Sequence, residues 1–414
     1  FRSSSGFTTM LGFIALMFMR FGLGRDLGIV IAKGIVFCLL SVFLLLPSLT
    51  VMTYRLIEKT QHKPFLPSFD ALAKIVVRVM VPVTVLAALI IAPAFLAQSQ
   101  NQFIYGTPEN GDESNPLYKA EYEIEKLFGK ANTAVLLVPA NDRGQEKRLS
   151  EALYKIPQIT SVISYSQTVG NSIPTEFLPE GTLTEMISNG FSRIVITADT
   201  RVECEESFQM VELIRQTAQK HYGKDYFFVG ESVSIYDMKD TVTRDNAFVT
   251  TAGMIGIGLV ILLAFRSVFI PVLLLLVIQS SIWINLSIPY FMGKEMEYMG
   301  YMIISSVQLG ATVDYAILFT NLYIENRALT GKREALIKTI KDTAASILTS
   351  TGILAVSGLG IGFISTNHMV VEFGMLLGRG AALSAIMVLF FLPALIYMFD
   401  RLIPKSSLGI KFLT

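Results

Sequence analysis

The sequence is poor in charge, with Asp, Glu, Lys and Arg supplying 16% of its residues, and it holds three histidines, two cysteines and a single tryptophan. Each shortage closes off a class of function. Cys38 lies in an apolar run and Cys204 in a polar one, so no disulfide between them is expected, and no Cys or His spacing suits a metal. No cofactor is expected. A glycine loop ending in Lys-Ser or Lys-Thr, the cradle for nucleotide phosphates, does not occur, which argues against ATP-driven work by this chain. A net charge of +1 singles out no partner, and nucleic acid is not expected to be one. The chain opens Phe1-Arg2-Ser3 with neither Met nor a signal-peptide pattern, and is expected to be a piece of something longer.

What it has in excess is apolar surface: 52% hydrophobic residues and a mean hydropathy of +0.54, the composition of a polytopic membrane protein. A spanning helix needs about 20 apolar residues. Eight runs qualify, at about 3–20, 28–50, 74–97, 246–265, 268–291, 299–323, 345–365 and 374–398. Between the third and the fourth, residues 98–245 turn polar. Strand-like runs at Thr133–Val138, Thr160–Tyr165, Ser192–Thr197 and Tyr226–Val229 alternate there with amphipathic helices at about 144–155 and 203–221, the βαββαβ order of a ferredoxin-like domain. The chain thus divides into 1–60 (two helices and a loop), 61–97 (one helix), 98–245 (the inserted domain) and 246–414 (a five-helix bundle and tail).

Short loops rich in Lys and Arg face the cytoplasm. Arg55, Lys59, Lys63 and Lys74 mark one such end, Arg327, Lys332, Arg333, Lys338 and Lys341 a second, and Arg401, Lys405 and Lys411 a third; the opposite loops carry only Arg20, Arg25 and Lys294. The inserted domain is therefore expected outside the cytoplasm.

Sliding residues 1–57 by 346 positions lays them on 347–403 without a gap and with 13 identities. Among these are Ser4 on Ser350, Gly6 on Gly352, Gly12 on Gly358, Gly28 on Gly374, Gly34 on Gly380, Pro47 on Pro393, and Arg55-Leu56-Ile57 on Arg401-Leu402-Ile403. Asp26 falls opposite Glu372, and Lys33 opposite Arg379. Chance likeness between apolar helices supplies Leu and Val matches, not shared Gly, Pro and Arg in one register. The chain carries parts of two related halves, and the counterpart of residue 314 would lie before Phe1.

Asp314 is the one carboxylate deep within any of these runs. A charge at the bilayer centre costs from about 2.5 to over 10 kcal/mol, so such residues face a bundle interior or a water path. At 1.5 Å per residue Asp314 lies about 22 Å from the outer end of its helix, near mid-depth, and Gly310, Asp314 and Asn321 share one small, polar face that Glu325 extends. The next span offers a candidate partner surface in Ser346, Ser350 and Ser357, and the first-half copy of that span begins Ser3-Ser4-Ser5 followed by Thr8 and Thr9. Such hydroxyls either relay protons or simply let helices approach. Asp314 itself is either a structural carboxyl, held by a neighbouring helix, or a group that loads and unloads protons, with Tyr315 beside it as a weaker candidate. Lys33 and Arg379 are expected to snorkel toward Asp26 and Glu372, and Gly374 and Gly378 fit a small-xxx-small packing face.

Gly310-Ala311-Thr312-Val313-Asp314-Tyr315, the basic helix 331–343, the Thr349-Ser350-Thr351-Gly352 span, the repeat and the βαββαβ insert together resemble the MMPL branch of the resistance-nodulation-division (RND) superfamily, whose fourth and tenth helices carry Gly-x-x-x-Asp-Tyr. The resemblance implies helices five to twelve of twelve, with 98–245 as the second porter domain and the first half mostly absent. It also implies proton-driven movement of lipids or other hydrophobic molecules through the cytoplasmic membrane, with Asp314 and Tyr315 in the proton relay, and the missing half or a partner subunit completing the machine. The alternatives are a lipid- or sterol-sensing protein, or an envelope scaffold, that does not pump. An intramembrane hydrolase is not expected: the nearest approach to a serine nucleophile motif is Ala355-Val356-Ser357-Gly358, and a dyad of Ser357 with His368 is geometrically doubtful.

Overall fold

A computed structural model describes residues 9–10, 12–60, 69–106, 116–170, 180–407 and 412. Two compact units result, one from Phe1–Phe103 with Thr243–Thr414 and one from Ile104–Val242. The first carries α1 (helical at residues 9–10 and 12–16), α2 (Gly22–Leu40), α3 (Leu46–Lys59) and α4 (Asp70–Gln98). The second holds α5 (Pro116–Phe128), β1 (Asn132–Pro139), α6 (Arg143–Leu153), β2 (Ile159–Ile163), β3 (Phe191–Ala198), α7 (Glu205–Tyr222) and β4 (Phe227–Gly230). There follow α8 (Glu231–Phe265), α9 (Phe269–Phe291), α10 (Tyr298–Arg327), α11 (Lys332–Ile364), α12 (His368–Ile386) and α13 (Leu392–Met398).

Among the described residues seven helical segments are long and apolar enough to cross a membrane, matching the last seven of the eight expected; of the first, 3–20, residues 9–10 and 12–20 are described and are helical as far as 16. Two expected boundaries change. The helix predicted from residue 246 begins at Glu231, because Val233, Ile235 and Val242 give its polar first half a buried stripe that a search for apolar runs does not see. The basic helix 331–343 and the span at 345–365 are likewise one continuous helix, α11.

The inserted unit has the expected topology. Its four main strands run antiparallel in the order β2-β3-β1-β4, and a short strand at Ile187–Ser188 also pairs with β3. Alternation makes this face: Ala134, Leu136 and Val138 of β1 and Ile194, Ile196 and Ala198 of β3 are buried, in the register Leu136 opposite Ile194. They pack against Leu149 and Leu153 of α6 and Met210 and Ile214 of α7. Beside this core the Tyr222 hydroxyl is buried with no partner among the described residues, and burial, helped by Glu146 and Asp142, pushes the phenol up to about 12.

In the first unit glycines set the helix spacing. A Cβ on Gly374 would sit 2.6 Å from the Gly362 nitrogen, and one on Gly358 2.6 Å from the Gly378 nitrogen, so α11 and α12 touch backbone to backbone. Lipid is as apolar as leucine, so close packing of this kind, not apolar burial, holds membrane helices together. The repeat is visible in the backbone as well. A π-helical turn at Ser41–Leu45 precedes Pro47, and another at Met387–Phe391 precedes Pro393, displaced by the same 346 positions. Proline cannot donate to the preceding turn, and in both copies a widened turn stands just before it.

Gly374→Ala should lower stability by about 1–3 kcal/mol through overpacking, whereas Gly360→Ala, with nothing within 4 Å of its Cβ, should gain up to about 1 kcal/mol from helix propensity; thermal unfolding in detergent separates the two. In the inserted unit the raised Tyr222 phenol contributes stability that is whole below pH about 10, the unfolded value, and is lost as pH rises toward about 12. Tyr222→Phe should remove that part of the alkaline loss, as read by hydrogen exchange of α7 and β4 between pH 9 and 12.

Candidate functional site

α10 presents chemistry on two faces. On one, Gly310 brings α1 against the helix: a Cβ on Gly12 would lie 3.2 Å from the Gly310 Cα, and one on Gly310 would lie 3.4 Å from the Thr9 carbonyl oxygen and 3.6 Å from Phe13. This crossing delivers the Thr9 hydroxyl to half-buried Asp314. Thr9 Oγ1 donates toward Asp314 Oδ2 at 3.1 Å and toward the Gly310 carbonyl at 3.2 Å. One hydroxyl proton is therefore shared between a carboxylate and a backbone acceptor, and the balance depends on whether the carboxylate is charged.

The other predicted residues fall into place unevenly. Asn321 donates to Glu325 at 3.0 Å toward the cytoplasmic end of the same helix. Tyr315 is half-buried. Ser346, Ser350 and Ser357 lie on an exposed face of α11, whose buried face is built from Thr339, Thr343, Ile347, Thr351 and Gly358. Among the described contacts a hydroxyl of α1 reaches Asp314, and none joins the exposed Ser346, Ser350 or Ser357 to it. Ser3, Ser4, Ser5 and Thr8 lie outside the described residues.

The opposite face of α10 carries a network that the sequence reading did not single out. Gln308, 2% exposed, accepts from Asn285 Nδ2 at 3.0 Å and donates to Ser281 Oγ, Ser384 Oγ and the Gly380 carbonyl at 3.1–3.2 Å. Gly380 is required here, since a Cβ there would lie 2.5 Å from Gln308 Oε1 and 2.6 Å from Asn285 Nδ2. Asn285 also accepts from Arg379 Nε at 2.8 Å, and its backbone carbonyl from Arg379 Nη2 at 3.0 Å. Arg379 accordingly binds Asn285 instead of pairing with Glu372 as expected, and Glu372 accepts the Glu297 backbone N–H at 3.0 Å. A signal was present: an amide and an asparagine inside apolar runs must find hydrogen-bond partners.

A buried carboxylate closes the cytoplasmic end of α10. Asp400, 4% exposed, accepts from the Tyr323 hydroxyl at 2.6 Å and from Arg327 Nε and Nη2 at 3.3 Å. Among the described residues no group of His, Cys, Asp and Glu is arranged to hold a metal ion.

A family model described as the MMPL family matches residues 112–408. A chain of Methanocaldococcus jannaschii designated a candidate membrane protein, MJ1562, is 23% identical over 395 residues, covering 85% of this chain and 96% of that one. Two solved structures share the fold: SecDF in its super-membrane-facing form, at TM-score 0.54 and 15% identity, and SecDF of Thermus thermophilus, a translocon-associated membrane protein, at TM-score 0.56 and 14% identity. Each match covers 96% of this chain and 48% of the SecDF chain, so this chain spans about half the length of those proteins.

Asn285→Leu should cost about 2–4 kcal/mol, since it strips Arg379 and Gln308 of buried partners. Ser346→Ala, on the exposed face of α11, should stay within about 0.5 kcal/mol. Denaturant unfolding in detergent reads both.

Proposed function

This chain belongs to the MMPL family, and on that premise we propose that it is part of a proton-motive-force-driven transporter that moves lipids or other hydrophobic molecules across or out of the cytoplasmic membrane. The observation that carries the reading is the contact of the Asp314 carboxylate with the Thr9 hydroxyl across the Gly12 and Gly310 crossing. A carboxylate at mid-depth is costly as an isolated anion. Ionised, it draws the Thr9 proton; neutralised by a proton from outside, it loses its hold on Thr9, which turns to the Gly310 carbonyl. Each charge crossing 100 mV carries about 2.3 kcal/mol, enough to bias a contact of this size. Loading and release of one proton thus alternately tightens and loosens α1 on α10.

The distribution of Lys and Arg supports an orientation with the unit at 104–242 outside the cytoplasm. The repeat supports a second, related half, contributed by the rest of a longer chain or by a partner subunit, with which Asp314 completes its relay. We read no enzyme here: Ser357 is exposed, and His368 Nδ1 lies 3.9 Å from Glu297 Oε1.

The test is transport by the whole protein in vesicles under an imposed proton gradient. Asp314→Asn keeps the size and loses the titratable charge, and should reduce gradient-driven transport at least 100-fold with unfolding temperature little changed. Equal rates would overturn proton coupling and favour a lipid-sensing or scaffolding role.

A further inference from the structure

Toward the outer end of α10, where α1, α8, α9 and α10 meet, lies a cavity of about 10 Å³ lined by Gly12, Thr250, Gln279, Ser305 and Ser306 among others. That is room for about one water. Its polar wall asks for one. Gln279 Oε1 is buried and has no hydrogen-bond partner among the described residues, and an orphaned amide oxygen inside a membrane bundle is costly unless water satisfies it.

The cavity also lies on a line of polar groups. At its outer side Thr250 Oγ1 reaches Asn246 Oδ1 at 3.5 Å. Next to Asn246, the Asp245 carboxylate accepts the backbone N–H groups of Arg20 and Phe21 at 2.7 and 2.9 Å, fixing the chain between α1 and α2. At its inner side Gly12 both lines the cavity and meets Gly310. One turn further along α1 stands Thr9, already hydrogen-bonded to Asp314. The remaining neighbours, Val249, Gly253, Ile282 and Leu309, bring no polar side chain and close the cavity sideways.

We propose that this is a single-water site on the outer arm of the proton route to Asp314. A proton arriving by way of Thr250 passes to the water held by Gln279, Ser305 and Ser306; it goes on to Thr9, one turn along α1, when α1 loosens from α10, since the crossing of Gly12 and Gly310 is closed in this structure. Thr9 accepts it on its oxygen while giving its own hydroxyl proton to Asp314 Oδ2, so one O–H bond forms as another breaks and Thr9 is left neutral. The proposal rests on the proton-coupled reading of Asp314, and its test tells the two apart.

The experiment measures gradient-driven proton entry into vesicles holding the whole protein and a trapped pH dye. Gln279→Leu combined with Ser306→Ala fills and dries the cavity, and should slow entry about tenfold while substrate KM stays unchanged. Should that pair fail to fold, Ser306→Cys in a background of Cys38→Ala and Cys204→Ser takes its place: silver ion added outside, small enough to follow a water path, should block entry. Wild-type entry in the folded double variant, or no effect of silver on Ser306→Cys, overturns the water site. If Asp314→Asn abolishes entry in the same assay, proton coupling stands even though the route is wrong; if Asp314→Asn enters protons normally, the underlying reading fails with it.

Discussion

Backbone proximity is the constraint on which the membrane unit depends. In lipid, two leucine-faced helices gain little by leaving the acyl chains for each other, so contact energy comes from surfaces close enough for dispersion and for polar groups to meet. Gly12 with Gly310, Gly358 with Gly374 and Gly378, and Gly380 with the amides of Gln308 and Asn285 provide those surfaces. Remove the first and Thr9 leaves hydrogen-bond range of Asp314. Remove the last and the Gln308 network has no room. The glycines are thus what place the polar groups, and the polar groups fix the pairing that the glycines permit.

The repeat clarifies which parts of this design belong to a half on its own. Gly28 packs on Leu16 and Met17, and its counterpart Gly374 packs on Gly362, the position equivalent to Leu16. The π-helical turn before the proline is also kept. These are contacts inside one repeated hairpin. Gly34 and Gly380 differ: a Cβ on Gly380 would run into Gln308 and Asn285, whereas one on Gly34 would meet nothing within 4 Å. Correspondingly, α2 and α3 bury little of their surface within the described residues, and α12 buries much more. The hairpin geometry is local and appears twice, while the polar socket needs the α9 and α10 pair, which this chain supplies once.

Much of this was legible in residues alone, for reasons that also mark where legibility stops. Alternation at Ala134, Leu136 and Val138 fixes a strand and its inner face, and the order of such runs fixes the ferredoxin-like sheet. Apolar length locates a span, yet says nothing of where a helix begins once its pattern turns amphipathic, so Glu231 does not stand out in the sequence as the start of α8. The depth of Asp314 and its glycine at the preceding turn could be read from spacing. Its partner could not: helical periodicity sorts residues by face but leaves open which neighbour that face meets, so Ser346, Ser350 and Ser357 looked as suitable as Thr9. Gln308 and Asn285 were visible as polar residues in greasy helices, but their mutual contact depends on Gly380, some 70 residues further along, and no local pattern joins the three.

The two faces of α10 then divide its work by the kind of polar group each carries. Gln308 and Asn285 are neutral amides satisfied in every direction by Ser281, Ser384, Arg379 and backbone carbonyls. Amides do not titrate, so no change of proton supply alters their count of hydrogen bonds, and α10 stays fastened to α9 and α12. Asp314 is an acceptor twice over when ionised and becomes a donor when protonated, and among its contacts is a hydroxyl on α1 that has a second acceptor 3.2 Å away. A switch placed on the amide side would have to break a closed network; on the glycine side the Thr9 O–H already has a second acceptor to turn to. On the proposed reading, movement driven by a proton therefore belongs to α1 and whatever α1 carries, with α9, α10 and α12 as the fixed frame.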